Sequence, residues 1–587
     1  MVQRLNVVVV VVRPGVWGGR RGQVWIVYLY RNPNPNPNPN PNPNRFPGSF
    51  LRFFRFVSLP GVVGWVGLGS QPANQLSVRA VFPVLIMSDM PARSALPLMS
   101  VLVFVVHLVQ LARTYLLLLF RRGGRAPAHG QAPPQLLAFF HPAIDGGGGG
   151  EKVFYAALAH ALGSSSVKSN ANSGVVVFAS TKRSDFTAND IKLSCENTFG
   201  ITWPENAPPV TLVNANQTCR TWTLPETYPV ATMIGQALGF ARLVDELVLS
   251  TRKRCAVTTT GGSSGALRAW DDARYARTLV DTAGNAFACA RARTLLQGCR
   301  VVTYTHYPLV NSDMEAAVRD GDTSAVHNRQ GAGKGSWRTR LKLLYYGALA
   351  RTYGAALRRT AAGGGFVLCN STWTLGHVRS LMGGSVEPAV VFPPCSLEQL
   401  LAIPIERKKA PLTFLCVGQY RPEKQQRLLL DAWRDAGLSD ARLVFAGGAR
   451  GEEDLQRAEE LRAAAMDDPA IEVLVNVSHA ELLRLLASAH VGLHAMRMEH
   501  FGICVVEYMA AGCVAIAHDS GGPREDILAP RGVGYLASDR ASYSAAIAEA
   551  AAMSTRERHA MVSRAREHVR SRFGDAHFRL LWERHVV

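Results

Sequence analysis

Two carboxylates, Glu499 and Glu507, stand eight positions apart in the stretch MEHFGICVVE. The apolar run VGLHA precedes them, and a helical pattern continues to Ala511. Glu499 therefore falls before a helix start and Glu507 within that helix. At ~1.5 Å per residue their backbones lie roughly 12 Å apart, too far for the ~5 Å nucleophile–acid pair of a retaining hydrolase. The spacing suits a ligand lying across the helix start. Backbone N–H groups around Phe501, Gly502 and Ile503 would donate to a diphosphate, and one carboxylate would reach hydroxyls at each end. The plainer alternative makes Glu499 a capping residue and Glu507 a surface acid.

A second cluster, VGQYRPEK, ends another apolar run and supplies Arg421 and Lys424. Cations there would neutralise charge growing on a leaving phosphate, although the composition is also that of an ordinary surface loop. A third is Asp145 followed by five glycines, Gly146 to Gly150, and then Glu151 and Lys152. Glycines after a strand and before a helix let backbone N–H groups approach an oxyanion, so Gly147, Gly148, Gly149 and Gly150 form a candidate cleft loop. No G-K-[ST] follows, which excludes a P-loop, and a flexible linker is the competing reading.

These groups need a scaffold, and the pattern supplies one. Apolar runs at Gln135–His141, Gly174–Ala179, Cys299–Tyr304, Gly365–Leu368 and Val390–Phe392 alternate with helical stretches. A second series follows at Leu412–Val417, Arg442–Ala446, Ile471–Leu474, Val491–Leu493 and Cys513–Ala517. Strands alternating with helices predict an α/β chain of two Rossmann-like, doubly wound domains facing a cleft, with ligands at the C-terminal ends of the strands. The expected divisions are an N-terminal domain over 135–390, a C-terminal domain over 391–560 and a helical segment over 561–587. Residues 182–230 and 252–278 read as loop-rich insertions. The helical pattern Ser336–Arg359 reads as core packing, with a basic membrane-touching face as the alternative.

The net charge of +20 is unevenly placed. Residues 1–130 carry fourteen arginines, no lysine and one acid, Asp89, and so account for +13 of it. The rest is only mildly basic, which argues against nucleic acid and for a membrane. The Asn-Pro repeat over 32–44 cannot form a helix or central strand, and residues 1–95 are expected to be a disordered extension. Residues 96–122 form the expected single-pass anchor. The 23 residues from Leu98 to Phe120 would make a helix roughly 35 Å long, and Arg121, Arg122 and Arg125 place the following body on the cytosolic side. Ten cysteines without a C-x-x-C pair exclude a zinc finger and fit free thiols. The D-x-D at Asp320–Asp322 sits in a loop-like stretch and is not read as a metal site.

EHFGICVVE followed by MAAGCVAIAHDSGGPREDI resembles the signature of retaining glycosyltransferases of the two-Rossmann, or GT-B, class. FFHPAIDGGGGGEKV, THYPLVNSDM, VLCNSTWTLGHV, VFPPC and VGQYRPEK are similar, in this order, to segments of asparagine-linked glycosylation α-1,2-mannosyltransferases. The resemblance spans about 135–585 in pieces. It implies transfer of mannose from GDP-mannose, with retention, onto dolichyl-diphosphate-linked Man3GlcNAc2 and then Man4GlcNAc2, on the cytosolic face of the endoplasmic reticulum. It also implies that Glu507 holds the donor ribose, that Glu499 and His306 stand by the transferred sugar, and that Lys424 meets the donor phosphates. Relatives often place arginine where Gln419 stands here, and Arg421 is the expected substitute. The implied partners are GDP-mannose, the dolichyl-linked oligosaccharide, a membrane and other early mannosyltransferases, with no nucleic acid, cofactor or metal. Two alternatives are a related transferase with another sugar nucleotide or lipid acceptor, and a membrane-tethered scaffold of the same fold.

Overall fold

The structure, a computed structural model, describes residues 55–59, 62–66, 107–108 and 137–586, the last with interruptions at 165–174, 229–230, 250–254, 261–276, 297, 322–334, 385, 407–410 and 450. The Asn-Pro repeat and nearly all of the expected anchor lie outside these residues. Two compact units divide the chain at Val106. In the first, β1 (Arg55–Leu59) pairs antiparallel with β2 (Val62–Val66), within the stretch expected to be a disordered extension. Among the described residues no helix is long and apolar enough to cross a membrane. His107, from the middle of the apolar segment, belongs to the second unit. It is buried, with Nε2 2.8 Å from the Tyr228 hydroxyl and Nδ1 3.2 Å from the Arg242 guanidinium.

The second unit holds two sheets. The first comprises β3 (Leu137–Phe140), β4 (Val175–Ala179), β5 (Val210–Ala215), β6 (Cys255–Thr259), β7 (Thr278–Asp281), β8 (Arg300–Thr305), β9 (Phe366–Cys369) and β10 (Ala389–Val390). Its order is β10-β9-β8-β7-β3-β4-β5-β6, parallel except for the antiparallel edge strand β6. Between these strands run α1 (Gly149–Gly163), α2 (Ala188–Asn197), α3 (Gln217–Thr221), α4 (Thr232–Leu249), α5 (Ala286–Leu295), α6 (Ser312–Asp320), α7 (Trp337–Ala361) and α8 (Thr372–Met382). The stretches expected as loop-rich thus hold regular elements. All six residues of β5 are buried, including Thr211 and Asn214. Their polar groups are satisfied inside the fold: Asn214 donates to the Thr181 hydroxyl at 2.7 Å, and the Thr211 and Thr259 hydroxyls meet across β5 and β6 at 3.3 Å. Satisfied polar side chains in a buried strand hide it from a search for apolar runs.

The second sheet is built from β11 (Leu412–Val417), β12 (Ala441–Gly447), β13 (Ile471–Val475), β14 (Val491–His494), β15 (Val514–His518) and β16 (Gly534–Ala537). All its pairs are parallel, in the order β13-β12-β11-β14-β15-β16. This is the doubly wound order that reverses beside the first strand and opens a crevice there. The helices of this half are α9 (Glu398–Leu401), α10 (Gln426–Ala436), α11 (Glu452–Ala465), α12 (His479–Ser488), α13 (Ile503–Ala511), α14 (Arg540–Ala552) and α15 (Thr555–Arg572). Near-continuous burial of β14 and β15 is what a parallel sheet covered on both faces requires.

The last helix, α16 (Asp575–Val586), crosses back. Its Phe578, Trp582 and Val586 join the core beneath the first sheet, beside Val302 and Tyr304, whereas Val562, Ala565 and Val569 of α15 belong to cores of the second half. The outgoing and returning strands of chain run together, and Cys395 bridges to Gly574.

Candidate active site

The polar residues at the C-terminal ends of the central strands converge on one cleft. From the first sheet come His141 after β3, Ala283 after β7, His306 after β8 and Asn370 after β9, together with Gly149 and Gly150 at the start of α1. From the second come Glu499, His500, Phe501, Gly502 and Ile503, between β14 and α13. The cavity they line measures ≈ 420 Å³, within the size range of small-molecule sites.

On the first side, His306 Nε2 donates to the Thr282 carbonyl at 2.8 Å, and Asn370 Nδ2 donates to the His306 carbonyl at 3.0 Å. The imidazole packs against α1, 3.6 Å from where a side chain on Gly150 would begin. His141 Nδ1 lies 2.9 Å from the Thr282 hydroxyl. Burial lowers His306 and, together with the neighbouring His306 ring, drives His141 down to about 3, so both rings are neutral at pH 7. The glycine loop is anchored by Asp145, which accepts from the Lys182 and Arg183 backbone N–H groups at 2.5 and 3.2 Å. The Gly148 N–H donates to the Glu151 carboxylate at 2.9 Å, so it serves the helix cap, while Gly149 and Gly150 face the cleft. Gly147 is not among the lining residues.

On the second side, one carboxylate oxygen organises the site. Glu499 Oε2 accepts from Lys424 Nζ at 2.7 Å and stands 3.0 Å from His494 Nε2. Burial alone would raise the Glu499 carboxyl, but Lys424 and His494 outweigh it and hold it well below the carboxylate range. Burial opposes the charge on His494 as well, yet the neighbouring Cys504 and Glu499 lift it to about 9. Lys424 is raised, the pull of Glu499 and Cys504 exceeding its burial. His500 goes the other way: burial takes it to about 4 despite Glu499. Its ring lies 4.2 Å from Tyr307 and 5.6 Å from Trp373, both from the first half. Two basic side chains, Lys424 and His494, thus meet one carboxylate at the start of α13.

Local backbone geometry explains why these residues stay in place. Met498, just before Glu499, has φ 55°, and Gln425, just after Lys424, has φ 50°, the left-handed region that costs non-glycine residues energy. The Met498 N–H donates to the Ser520 hydroxyl at 2.7 Å, and the Gly522 N–H donates to the Glu499 carbonyl at 2.8 Å. A side chain on Gly521 would begin 2.2 Å from that carbonyl oxygen, so only glycine allows the approach. Gly502 caps α13 at φ 98° and offers no side chain to its first N–H groups. That leaves the positive end of a nine-residue helix opening on the cleft.

Several sequence candidates take positions that refine the expectation. Phe501 is 3% exposed and packs on Phe392 and Phe573, so its ring belongs to the core although the residue borders the cleft. Glu507, on α13, is half-buried; burial raises its carboxyl against the pull of Lys152 and His479. Neither Glu507 nor Lys424 is among the lining residues; Lys424 joins the site through Glu499. Arg421 is partly exposed, 4.0 Å from Glu423. Asp320 closes α6, and Asp322 lies outside the described residues. The sequence reading did not assign His494, His141, His500 or Asn370. Its one available signal was position, since His141 and His494 stand at the ends of apolar runs.

Two facing Rossmann-like sheets with an open helix start in the crevice are the GT-B glycosyltransferase arrangement, and residues 402–568 match the family described as glycosyl transferases group 1. Residues 134–382 match the ALG11 mannosyltransferase N-terminus. The chain is 32% identical to the GDP-Man:Man(3)GlcNAc(2)-PP-Dol alpha-1,2-mannosyltransferase of Mus musculus over 458 residues, covering 76% of this chain and 85% of that one. Its Homo sapiens counterpart is 31% identical with the same coverage, and that of Neurospora crassa 31% identical over 67% of this chain and 69% of its own. The chain belongs to the ALG11 mannosyltransferase family.

Proposed function

We propose that this enzyme transfers mannose from GDP-mannose, in α-1,2 linkage, onto dolichyl-diphosphate-linked Man3GlcNAc2 and then Man4GlcNAc2. The shared name of relatives more than 30% identical over most of the chain supports the donor, acceptor and linkage. The observation that carries the chemistry is the cluster of Lys424, His494 and Glu499 beside the open start of α13. Such a site suits a sugar diphosphate, whose charge grows as the sugar departs. In this reading the N–H groups at Gly502 and Ile503 and the cation of Lys424 hold the diphosphate, with Arg421 at its outer edge. Glu507 holds the ribose, and Glu499 and His306 flank the mannose. Gly149 and Gly150 border the acceptor side, and no metal takes part.

Retention follows from an α-linked donor and an α-linked product. The acceptor hydroxyl attacks from the face that the diphosphate leaves: the new C–O bond forms as the sugar–phosphate bond breaks, and the hydroxyl proton passes to the departing phosphate oxygen. The N-terminal apolar segment, residues 96–122, holds the chain at the endoplasmic reticulum membrane with the body in the cytosol, where it associates with other early mannosyltransferases; because His107 of that segment packs on Tyr228 and Arg242, the body itself sits against the membrane. The sequon at Asn216 is exposed, so this orientation predicts that it carries no glycan, and an endoglycosidase-sensitive gel shift would overturn it. The decisive experiment incubates membranes containing the protein with a panel of sugar nucleotides and lipid-linked oligosaccharides of defined size. Transfer from GDP-mannose to the Man3 and Man4 lipids supports the proposal; preference for another nucleotide or a non-dolichyl lipid refutes it.

A further inference from the structure

Asp281 ends β7 as a fully buried carboxylate to which the transfer reaction gives no task. Its four partners are uncharged donors. Oδ1 accepts from the Ala283 N–H at 3.0 Å. Oδ2 accepts from the Asn285 N–H at 2.7 Å, the Thr303 hydroxyl at 2.7 Å and the Cys289 thiol at 3.3 Å. Each oxygen faces a backbone N–H, so asparagine in either orientation would set its amino group against a donor. Burial raises the carboxyl against the pull of these donors, the cost of keeping an acid here. The turn so held, residues 281–285, carries the contacts that fix both histidines of the first side. The Thr282 N–H donates to the Phe140 carbonyl at 3.2 Å, its carbonyl accepts from His306 Nε2 at 2.8 Å, and its hydroxyl meets His141 Nδ1 at 2.9 Å. Gly284, at φ 76°, lets the turn lie on the chain that bears His306: a side chain there would begin 3.1 Å from the Tyr304 carbonyl oxygen and 3.4 Å from the His306 backbone nitrogen. A carbonyl only accepts, so Nε2 of His306 carries the proton, and in the neutral ring Nδ1 is left bare. The ring atoms nearest to a side chain on Gly150 would be Nε2, Cε1 and Cδ2, which turns the Nδ1 edge away from α1.

We propose that Asp281 is a positioning residue for mannosyl transfer: by holding the Thr282 carbonyl on His306 Nε2, it keeps Nδ1 unprotonated and available to accept from a hydroxyl of the bound sugar. The proposal rests on the reading that His306 flanks the mannose, and adds how that ring is kept in the one tautomer able to accept there.

The test compares Asp281→Asn, Thr303→Val and His306→Ala in the full, detergent-solubilised chain, using GDP-mannose and its monodeoxy-mannose analogues as donors. The native chain should transfer one deoxy sugar about tenfold more slowly than mannose, the worth of one lost hydrogen bond. Asp281→Asn should transfer mannose itself about tenfold more slowly and no longer distinguish that deoxy donor, while binding GDP as the native chain does. Thr303→Val removes one of the four donors at nearly constant volume and should move the same way by a smaller factor; it decides by the same comparison where Asp281→Asn does not fold. Nitrogen-15 spectra of histidine-labelled protein, with His306→Ala to assign the signal, should show the proton on Nε2 in the native chain and shared between the two nitrogens in Asp281→Asn. Native discrimination retained in Asp281→Asn but lost in His306→Ala overturns the proposal and leaves His306 beside the mannose. Native discrimination retained in His306→Ala removes that ring from the mannose, and the proposal with it. Transfer and GDP affinity that fall together, in step with folded protein, in both Asp281→Asn and Thr303→Val reduce Asp281 to a core residue and also overturn the proposal.

Discussion

Replacing Lys424 by methionine separates what the cluster does for stability from what it does for transfer. In the native chain Nζ is 2.7 Å from Glu499 Oε2, and the two side chains are 23% and 13% exposed. Removing one partner of a buried pair costs ~3–5 kcal/mol because the other charge is left uncompensated. Here His494 still holds the same oxygen at 3.0 Å, so we expect a loss nearer ~2 kcal/mol. Glu499→Gln should cost a similar amount, by leaving two cations without their anion. The double variant removes both ends, and its loss should fall short of the sum by at least ~1 kcal/mol. Turnover should behave differently. A cation that meets growing phosphate charge contributes about 10²–10³-fold, and restoring stability does not restore it. Urea unfolding of the detergent-solubilised chain and single-turnover transfer from labelled GDP-mannose give the two readouts. Additive stability losses within ~0.5 kcal/mol would refute the energetic coupling, and recovered turnover in the double variant would refute the role given to Lys424.

His494 gives the stability a pH signature. Its pKa rises from 6.5 in the unfolded chain to about 9 on folding, so its contribution is complete below 6.5 and disappears as pH climbs through 9. The urea midpoint should fall across that window, and His494→Gln should flatten the fall; an unchanged slope would contradict the pairing. Gly522→Ala should abolish transfer while leaving the fold largely intact, because a side chain there begins 2.6 Å from the Phe501 backbone and displaces the Glu499 loop. Wild-type turnover in that variant would show that the loop tolerates the shift. Glu507→Gln should weaken GDP-mannose binding by roughly 10- to 150-fold, the worth of one charge-assisted hydrogen bond, as read by donor titration. Unaltered affinity would remove Glu507 from the ribose.

The second sheet was the easier half to read. Strands such as Leu412–Val417 and Val514–His518 are buried along almost their whole length, so they stand out as continuous apolar runs between helical patterns. In the first half, β5 and β6 carry threonine and asparagine whose hydrogen bonds are made only by the fold, and composition alone points to a loop. The site divides in the same way. Glu499, Gly502, Ile503 and His306 were visible because their motifs recur in a family, and all four line the cleft. His494 was not assigned because its significance lies in a 3.0 Å approach to a carboxylate five residues on, across a turn whose shape depends on the strained Met498. Phe501 shows the converse: its place in the motif suggested ligand contact, whereas its ring is needed to close a core.

The return of α16 to the first half constrains the order in which the molecule can be made. Trp582, fully buried beside Phe578, completes a core whose other residues begin at Phe139. The half synthesised first therefore waits for α16, while the second half has its own helices in hand by Arg572. Domains of most chains finish in the order of their synthesis; here the second half can close before the first. A released chain truncated after Arg572 should expose Val302 and Tyr304 and show trypsin-sensitive sites confined to residues before 390, which are absent from the chain that includes α16. A C-terminal nonsense mutation that spares every cleft residue would then act as a folding lesion of the opposite domain.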